Sequence, residues 1–288
     1  MPDLIHAARH RFRPVLSVVG PGLSRAELFA GLAAIGFANG ISEKVMAEWT
    51  ADGPLAAVFD TFDISVIVWA AMLVGLMLLL RDRGRTIGSA DLVVGGLAAL
   101  TFLVPVPSLS WLGVDLIAIY LLKFAAGSAV TLRAAAILLA VTIPMFWGRL
   151  LMAAFGHLIL QVDATLVSWF VGTSRSGNVV PFADGSGAMW VAPACSSFTN
   201  LSLAILATVL FVKAFDRQWS PRNLLIGGLV CASVVAINVV RIGLIGLHPQ
   251  HYELLHGGVG ATVAGWMTTA AILGLCAYGI GRNAPAVA

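Results

Sequence analysis

The sequence predicts an all-α fold: a polytopic transmembrane helical bundle of about eight spans, with both termini in the cytoplasm. Apolar residues occupy 59% of the 288 positions. Only 11% of the residues are charged, against roughly 25% in soluble globular proteins. Apolar runs of roughly 15–25 residues recur along the chain, close to the length that crosses a bilayer. These properties exclude a soluble enzyme, a nucleic-acid-binding protein and a disordered chain.

Eight apolar segments are candidate spans. They are Leu28–Met46, Ile64–Leu80, Leu92–Val106, Trp111–Ala126, Leu132–Trp147, Pro193–Val212, Leu224–Leu247 and Gly257–Gly281. The first, third and fourth are short or contain polar residues, so each of these three is alternatively a half-inserted or interfacial helix.

The distribution of Lys and Arg orients the spans, because cytoplasmic loops carry an excess of basic residues. With the N-terminus inside, every Lys and Arg falls on the inner side except Lys44, Arg149, Arg175 and the intramembrane Arg241. This pattern predicts a multi-pass protein of the cell inner (cytoplasmic) membrane, in contact with the lipid bilayer. The net charge of +3 therefore reflects cytoplasmic loops, and no nucleic-acid partner is expected.

The predicted spans divide the chain into five parts. These are a basic cytoplasmic N-terminal segment (1–27), an N-terminal group of about five spans (28–147), an extracytoplasmic amphipathic helix and loop (148–192), a three-span core (193–282) and a cytoplasmic tail (283–288). Apolar residues three or four apart over Arg149–Phe170 predict either a surface helix or an extension of the fifth span. The N-terminus lacks the pattern of a cleaved signal peptide.

Three cysteines, Cys195, Cys231 and Cys276, are odd in number and widely spaced, which argues against a disulfide framework or a CxxC site. Pro193 fits the first turn of a helix, so Cys195 is expected within the first turn of the sixth span. Unpaired N–H groups and the positive end of the helix dipole lower a thiol pKa at such a position. The alternative is a small buried apolar residue, and we interpret Cys231 and Cys276 in that way.

Arg241 lies inside the seventh span, where an arginine is costly and therefore a candidate functional residue. Asn238 is three residues earlier and shares a helical face with it. The alternative is an arginine that snorkels towards the headgroups. Against that alternative, apolar residues continue for a further turn and a half beyond Arg241.

Three histidines, His248, His251 and His256, occupy one short outer loop. A metal site built from them is conceivable, but the helical His pair with a carboxylate that would support it is missing. Neither a metal nor another cofactor is therefore predicted. His256 directly precedes the last span, where a neutral imidazole is a competent general base.

The predicted topology places Cys195, Arg241 and His256 at one depth, at the outer ends of three consecutive spans. A nucleophile, a cation for a developing oxyanion and a base are the groups that cysteine-dependent acyl transfer requires. Their common position is stronger support for a catalytic site than any one of the three residues.

Three short motifs resemble those of the exosortase/archaeosortase family, which are multi-pass membrane transpeptidases whose substrates carry PEP-CTERM-type sorting signals. The motifs are Ala194-Cys195-Ser196, Asn238-x-x-Arg241-Ile242 and His256-x-x-x-Gly260. The resemblance covers roughly Pro193 to Trp266, and the eight-span layout agrees with it. The chain departs from the family pattern at Ser197, where a glycine commonly follows the Ala-Cys-Ser motif.

The resemblance implies a cysteine endopeptidase or transpeptidase. Cys195 is then the nucleophile, His256 the base or acid and Arg241 the oxyanion stabiliser, with Asn238 and Ser196 in supporting roles. The implied partners are exported proteins whose C-terminal tail has a short motif, a transmembrane helix and a basic cluster. Cleavage at the outer face would pass through a thioester, released to water, an amine or a lipid. The sorting motif, the acceptor and the oligomeric state remain open.

Two other functions are compatible with the sequence. In a transporter or an assembly factor for an envelope polysaccharide, Asp115, Lys123 and Arg241 would be intramembrane charges along a path. In a rhomboid-like serine protease, Ser186 of Asp184-Gly185-Ser186-Gly187 would be the nucleophile. The rhomboid pattern requires a glycine where this chain has Asp184.

Overall fold

The predicted all-α fold is confirmed by a computed structural model, which describes residues 23–51, 53–82, 85–124 and 128–281. The strands of the described residues form one two-stranded antiparallel sheet. Most of the predicted basic N-terminal segment (residues 1–22) and the predicted tail 283–288 lie outside the described residues.

The described residues between Leu23 and Val171 form seven helices. They are α1 (Arg25–Ala51), α2 (Gly53–Phe59), α3 (Val66–Leu79), α4 (Ser89–Leu103), α5 (Pro107–Phe124), α6 (Ala129–Thr142) and α7 (Gly148–Val171). Short 3₁₀ and π turns, Thr61–Asp63 and Ile143–Trp147, precede α3 and α7.

The second half begins with the two strands β1 (Val179–Pro181) and β2 (Ala188–Trp190). Four helices follow: α8 (Phe198–Ala214), α9 (Pro221–Leu247), α10 (Tyr252–His256) and α11 (Gly258–Cys276). The 3₁₀ turn Pro193–Cys195 precedes α8, a second 3₁₀ turn, Pro249–His251, precedes α10, and a π turn, Ala277–Gly281, ends the described chain.

Serine side chains start several of these helices. The hydroxyl groups of Ser65, Ser128 and Ser220 accept hydrogen bonds from backbone N–H groups in the first turns of α3, α6 and α9. Each such cap satisfies one of the donors that a helix leaves unpaired at its start. In α9 the cap is followed by Pro221, whose missing N–H costs nothing at that position.

Within the part of the chain that the structure describes, four helical segments are long and apolar enough to cross a membrane, which is the character of a membrane protein. They are Pro107–Phe124, Ala129–Val171, Pro221–Leu247 and Gly258–Gly281. Three shorter apolar helices, α3, α4 and α8, correspond to other predicted spans. Helix α1 contains 27 residues, but Glu43, Lys44 and Glu48 make its C-terminal half polar.

The predicted fifth span and the amphipathic segment after it belong to one helical run, Ala129–Val171, of 43 residues. Arg149–Phe170 is therefore an extension of the fifth span and not a separate surface helix. Pro144 lacks the N–H that the α-helical ladder requires, and the run passes through a π turn at that point. A second kink lies at Phe155, whose φ is −124°.

The sixth predicted span starts later than expected. The sequence predicted a helix from Pro193, but Pro193–Cys195 is a separate 3₁₀ turn and α8 begins at Phe198. Ser196 between them is extended, with φ −72° and ψ 141°. The prediction that Cys195 lies in the first turn of this helix is therefore wrong.

A small apolar cluster holds the hairpin against α7 and α9. Leu160 and Val167 of α7 pack with Val180 and Met189 of the hairpin and with Ile245 of α9. This cluster is separate from the larger core of the helical bundle. Cys195 packs against its edge, so the cluster positions the thiol as well as the hairpin.

Candidate active site

The turn that carries Cys195 is anchored by a buried carboxylate of α7. Asp163, which is 3% exposed, accepts hydrogen bonds from the Ser196 hydroxyl (2.6 Å), the Ser197 N–H (3.2 Å) and the Ser197 hydroxyl. The Ser196 hydroxyl also accepts a hydrogen bond from the Phe198 N–H at 3.2 Å. These bonds satisfy Asp163 and determine the backbone path directly after Cys195.

Asp163 was not among the residues that the sequence singled out. The available signal was the single acidic residue of the largely apolar helix α7, since an ionisable side chain in such a segment normally has a specific partner. Ser197, the departure from the family pattern, supplies two of the three hydrogen bonds to this carboxylate. Ser196, a predicted supporting residue, supplies the third.

Asn238 connects α9 to the same turn. Its side-chain amide donates a hydrogen bond to the backbone carbonyl oxygen of Cys195 at 2.8 Å. The Asn238 side chain is buried, so this bond forms away from competing water. Together, Asp163 and Asn238 hold Cys195 from two different helices.

The thiol of Cys195 faces the imidazole of His256. The Sγ and Nε2 atoms are 3.7 Å apart, within the reach of a sulfur–nitrogen hydrogen bond. The ring of Tyr252 stacks on this imidazole, with centroids 4.7 Å apart and planes inclined by 12°. The stacking restricts the tilt of the imidazole plane.

Arg241 lies beside this pair and binds the backbone of α10. Its Nε donates to the Leu255 carbonyl oxygen at 3.2 Å, and its Nη2 to that of His256 at 3.5 Å. Among the described residues, no carboxylate forms an ion pair with this guanidinium. Arg241 therefore brings a positive charge without a carboxylate partner to the cavity that Cys195 and His256 also line.

All three side chains line one cavity of about 400 Å³. The hairpin and the segment after it form one wall, and α9 and α10 form the other. The remaining lining residues are predominantly apolar: Phe182, Ala188, Met189, Trp190, Val191, Ala192, Ile242, Ile245 and Tyr252. The cavity thus combines a thiol, an imidazole and a cation within a mostly apolar lining.

The tip of the hairpin is attached to α9 close to this cavity. The Ala183 N–H donates to the Gly246 carbonyl oxygen at 2.9 Å. A Cβ atom at Gly246 would lie 2.7 Å from both Val171 and Met189. Glycine is therefore required there for the close packing of α7, α9 and the hairpin.

The other candidate residues lie elsewhere. His248 and His251 do not line the cavity, and no group of three His, Cys, Asp or Glu side chains in the described part of the chain is arranged to hold a metal. Cys276 is buried and Cys231 half-buried within the larger core.

The charges suggested for a transport path do not share a cavity with Arg241. Asp115 is buried and accepts hydrogen bonds from Thr142 (2.7 Å) and Trp147 (2.9 Å). Lys123 is exposed in the last turn of α5. Neither lines the cavity that contains Arg241.

Ser186 lies in the exposed tip of the hairpin. Its hydroxyl donates to Asp184 Oδ1 at 2.7 Å, and its N–H donates to the same atom at 2.9 Å. These hydrogen bonds hold the pKa of the Asp184 carboxyl below its ordinary value. The arrangement is a local turn, with the hydroxyl engaged as a donor to a carboxylate.

Comparisons with protein-family models, with curated proteins and with solved structures find no match. The likeness to exosortases therefore depends on the three motifs in the sequence.

Proposed function

We propose that this protein is a membrane cysteine enzyme that catalyses acyl transfer from peptide bonds. The observation that carries the proposal is the 3.7 Å approach of Cys195 Sγ to His256 Nε2, in a cavity that also contains the guanidinium of Arg241. Within this class, the motifs support an exosortase-like endopeptidase and transpeptidase that removes C-terminal sorting signals from exported proteins.

The first half-reaction forms a thioester. His256 Nε2 takes the proton of the Cys195 thiol, and the thiolate attacks the carbonyl carbon of the scissile peptide bond. The oxyanion that develops is stabilised by the positive charge of Arg241. Collapse of this intermediate breaks the C–N bond, and the leaving amine takes the proton from the His256 imidazolium.

The second half-reaction releases the thioester. A water molecule or an amine attacks the carbonyl carbon while His256 takes its proton, and the C–S bond breaks. The proton returns to the Cys195 sulfur, so the enzyme is regenerated. Attack by water gives hydrolysis, and attack by an amine gives transpeptidation.

The proposed topology has eight crossings of the cytoplasmic membrane, with the shorter helices completing the bundle around the four long ones. Both termini are cytoplasmic, and the cavity with Cys195 opens on the extracytoplasmic side. This orientation follows the distribution of Lys and Arg. It gives the enzyme access to exported proteins.

Coexpression with a reporter tests the function. The reporter is an exported protein that ends in a short motif, a transmembrane helix and an Arg cluster, taken from a protein of the same genome with that C-terminal pattern. Loss of its tail with the wild-type enzyme, and retention of the tail with Cys195→Ala, is the expected result. Equal processing by both enzymes would exclude a cysteine mechanism.

A further inference from the structure

The second strand of the hairpin has one edge that is not paired with β1. Val179, Val180 and Pro181 of β1 lie opposite Trp190, Met189 and Ala188 of β2. The only sheet among the described residues contains these two strands. The outer edge of β2 therefore has no neighbouring strand in the structure.

The hydrogen-bonding groups on that edge follow from the register. Bonds from the Phe182 N–H to the Gly187 carbonyl and from the Val191 N–H to the Asn178 carbonyl mark the hydrogen-bonded positions of the ladder. Bonded and non-bonded pairs alternate in antiparallel sheets. Ala188 and Trp190 occupy non-bonded positions, so their N–H and C=O groups point away from β1.

This outer edge of β2 faces the cavity of the catalytic residues. Each residue from Ala188 to Ala192 lines the cavity, whereas none of the β1 residues does. The edge also leads directly to the nucleophile, because the Ala192 carbonyl accepts a hydrogen bond from the Cys195 N–H at 2.9 Å. Unpaired main-chain donors and acceptors therefore lie along the approach to the thiol.

We propose that the peptide to be cleaved binds in extended conformation along the outer edge of β2, as an added third strand. This inference rests on the proposed function and specifies how its substrate is held. The ligand is an unstructured segment of about four residues, since the five lining residues from Ala188 to Ala192 span about 16 Å. Strand addition of this kind draws affinity from main-chain bonds and selectivity from alternate side chains.

The cavity walls define which side chains fit. Every second side chain of the bound peptide points into the cavity, towards the apolar surfaces of Phe182, Met189 and Ile245. The intervening side chains lie towards solvent, as does Trp190, which is 61% exposed. The site therefore favours apolar residues at alternate positions of the peptide.

The experiment uses the full-length protein in detergent and the probe acetyl-Val-Ala-Val-Ala acyloxymethyl ketone. Cys195 Sγ forms a bond to the probe's methylene carbon while the C–O bond to its carboxylate leaving group breaks, and the thiol proton passes to His256. The rate of this labelling is measured for the parent probe and for probes with one N-methylated amide each. A non-peptidic acetyl acyloxymethyl ketone gives the intrinsic reactivity of the thiol.

Pairing with the edge predicts an alternating pattern. A single N-methyl group lowers the labelling rate about tenfold, the usual effect of one lost hydrogen bond, when it lies on an amide that bonds to the edge. Such amides are every second one along the peptide. A single N-methyl group on one of the amides between them leaves the labelling rate unchanged. Uniform sensitivity, uniform tolerance, or peptides no faster than the non-peptidic probe would overturn the proposal. Cleavage of the reporter tests the proposed function separately and is independent of this pattern.

Two variants examine the protein side of the same bonds. Ala188→Pro removes an N–H that points away from β1, a position where an edge strand tolerates proline. The rate of labelling by the peptide probe, divided by the rate for the non-peptidic probe on the same variant, should fall about tenfold. Ala188→Ser keeps the N–H and is the matched control. Equal peptide labelling of the two variants would contradict edge pairing.

Discussion

The side-chain amide of Asn238 donates a hydrogen bond to the carbonyl oxygen of Cys195 over 2.8 Å. Arg241 lies three residues further along the same helix and binds the carbonyl oxygens of Leu255 and His256. Helix α9 thus contacts both the turn that contains Cys195 and the segment that contains His256. The Asn-x-x-Arg spacing thus allows one helix to contact the segments of Cys195 and His256, which are 61 residues apart in sequence.

Replacement of the nucleophile should abolish reporter processing. Among the described residues, Cys195 is the only cysteine that lines the cavity, and Cys195→Ala removes its thiol. Cys195→Ser replaces the thiol by a hydroxyl group, which the same base does not activate to a comparable extent. Cys231→Ala is the matched control and should process the reporter at a nearly normal rate. Immunoblots of the reporter tail measure the outcome, and processing by Cys195→Ala would refute the cysteine mechanism.

His256→Ala should cost as much activity as loss of the thiol, because residues that act as one unit have non-additive effects. His251→Ala should have a mild effect, since His251 does not line the cavity. The measurement is reporter cleavage at equal membrane abundance of both variants. If His251→Ala is inactive and His256→Ala is tolerated, His256 is not the base.

Arg241→Lys should lower cleavage by about 10²-fold or more, the usual loss for one oxyanion donor. Lysine keeps the charge but cannot reproduce the contacts of Nε and Nη2 with two carbonyl oxygens. Arg241→Ala should be nearly inactive. A snorkelling arginine behaves differently, because lysine snorkels equally well. Cleavage and membrane abundance are measured together, and full activity of Arg241→Lys would assign the residue to membrane anchoring.

Asp163→Asn should disturb the thiol turn while the protein remains folded. The amide replaces one acceptor oxygen by a donor, so it no longer accepts all three bonds from Ser196 and Ser197. We expect about 1–3 kcal/mol of destabilisation and a marked loss of Cys195 labelling by the peptide probe.

The matched control for this change is Asp115→Asn. Asp115 is also a buried carboxylate and is bonded to Thr142 and Trp147. The Asp115→Asn substitution should lower thermal stability by about as much as Asp163→Asn does, but it should leave the rate of Cys195 labelling unchanged. Equal labelling losses in both variants would show that Asp163 acts through general stability alone.

Gly246→Ala should loosen the hairpin from α7 and α9. The added methyl group meets Val171 and Met189 at 2.7 Å, and overpacking of this kind typically costs about 1–3 kcal/mol. Gly228→Ala on the same helix meets no atom within 4 Å and should be neutral or slightly stabilising, since alanine is the better helix former. Thermal unfolding in detergent compares the two, and equal stability would contradict this packing.

The sequence by itself determined the helical class and the membrane character of the protein. Hydropathy and helix capping act over one or two helical turns, so both can be recognised in the amino-acid sequence. The same local information marked Cys195, Asn238, Arg241 and His256 as unusual residues for apolar segments.

Only the tertiary structure decided how the thiol is held. The sequence predicted Cys195 inside a helix. In the structure, Ser196 and Ser197 instead bond to Asp163, which lies more than thirty residues earlier. This contact favours an extended backbone at Ser196 over a helical one. Packing of α7 and α9 around Gly246 likewise places the β2 edge beside the site. Such contacts join segments that are distant in sequence, so they depend on how the helices pack and leave no periodic pattern in the chain.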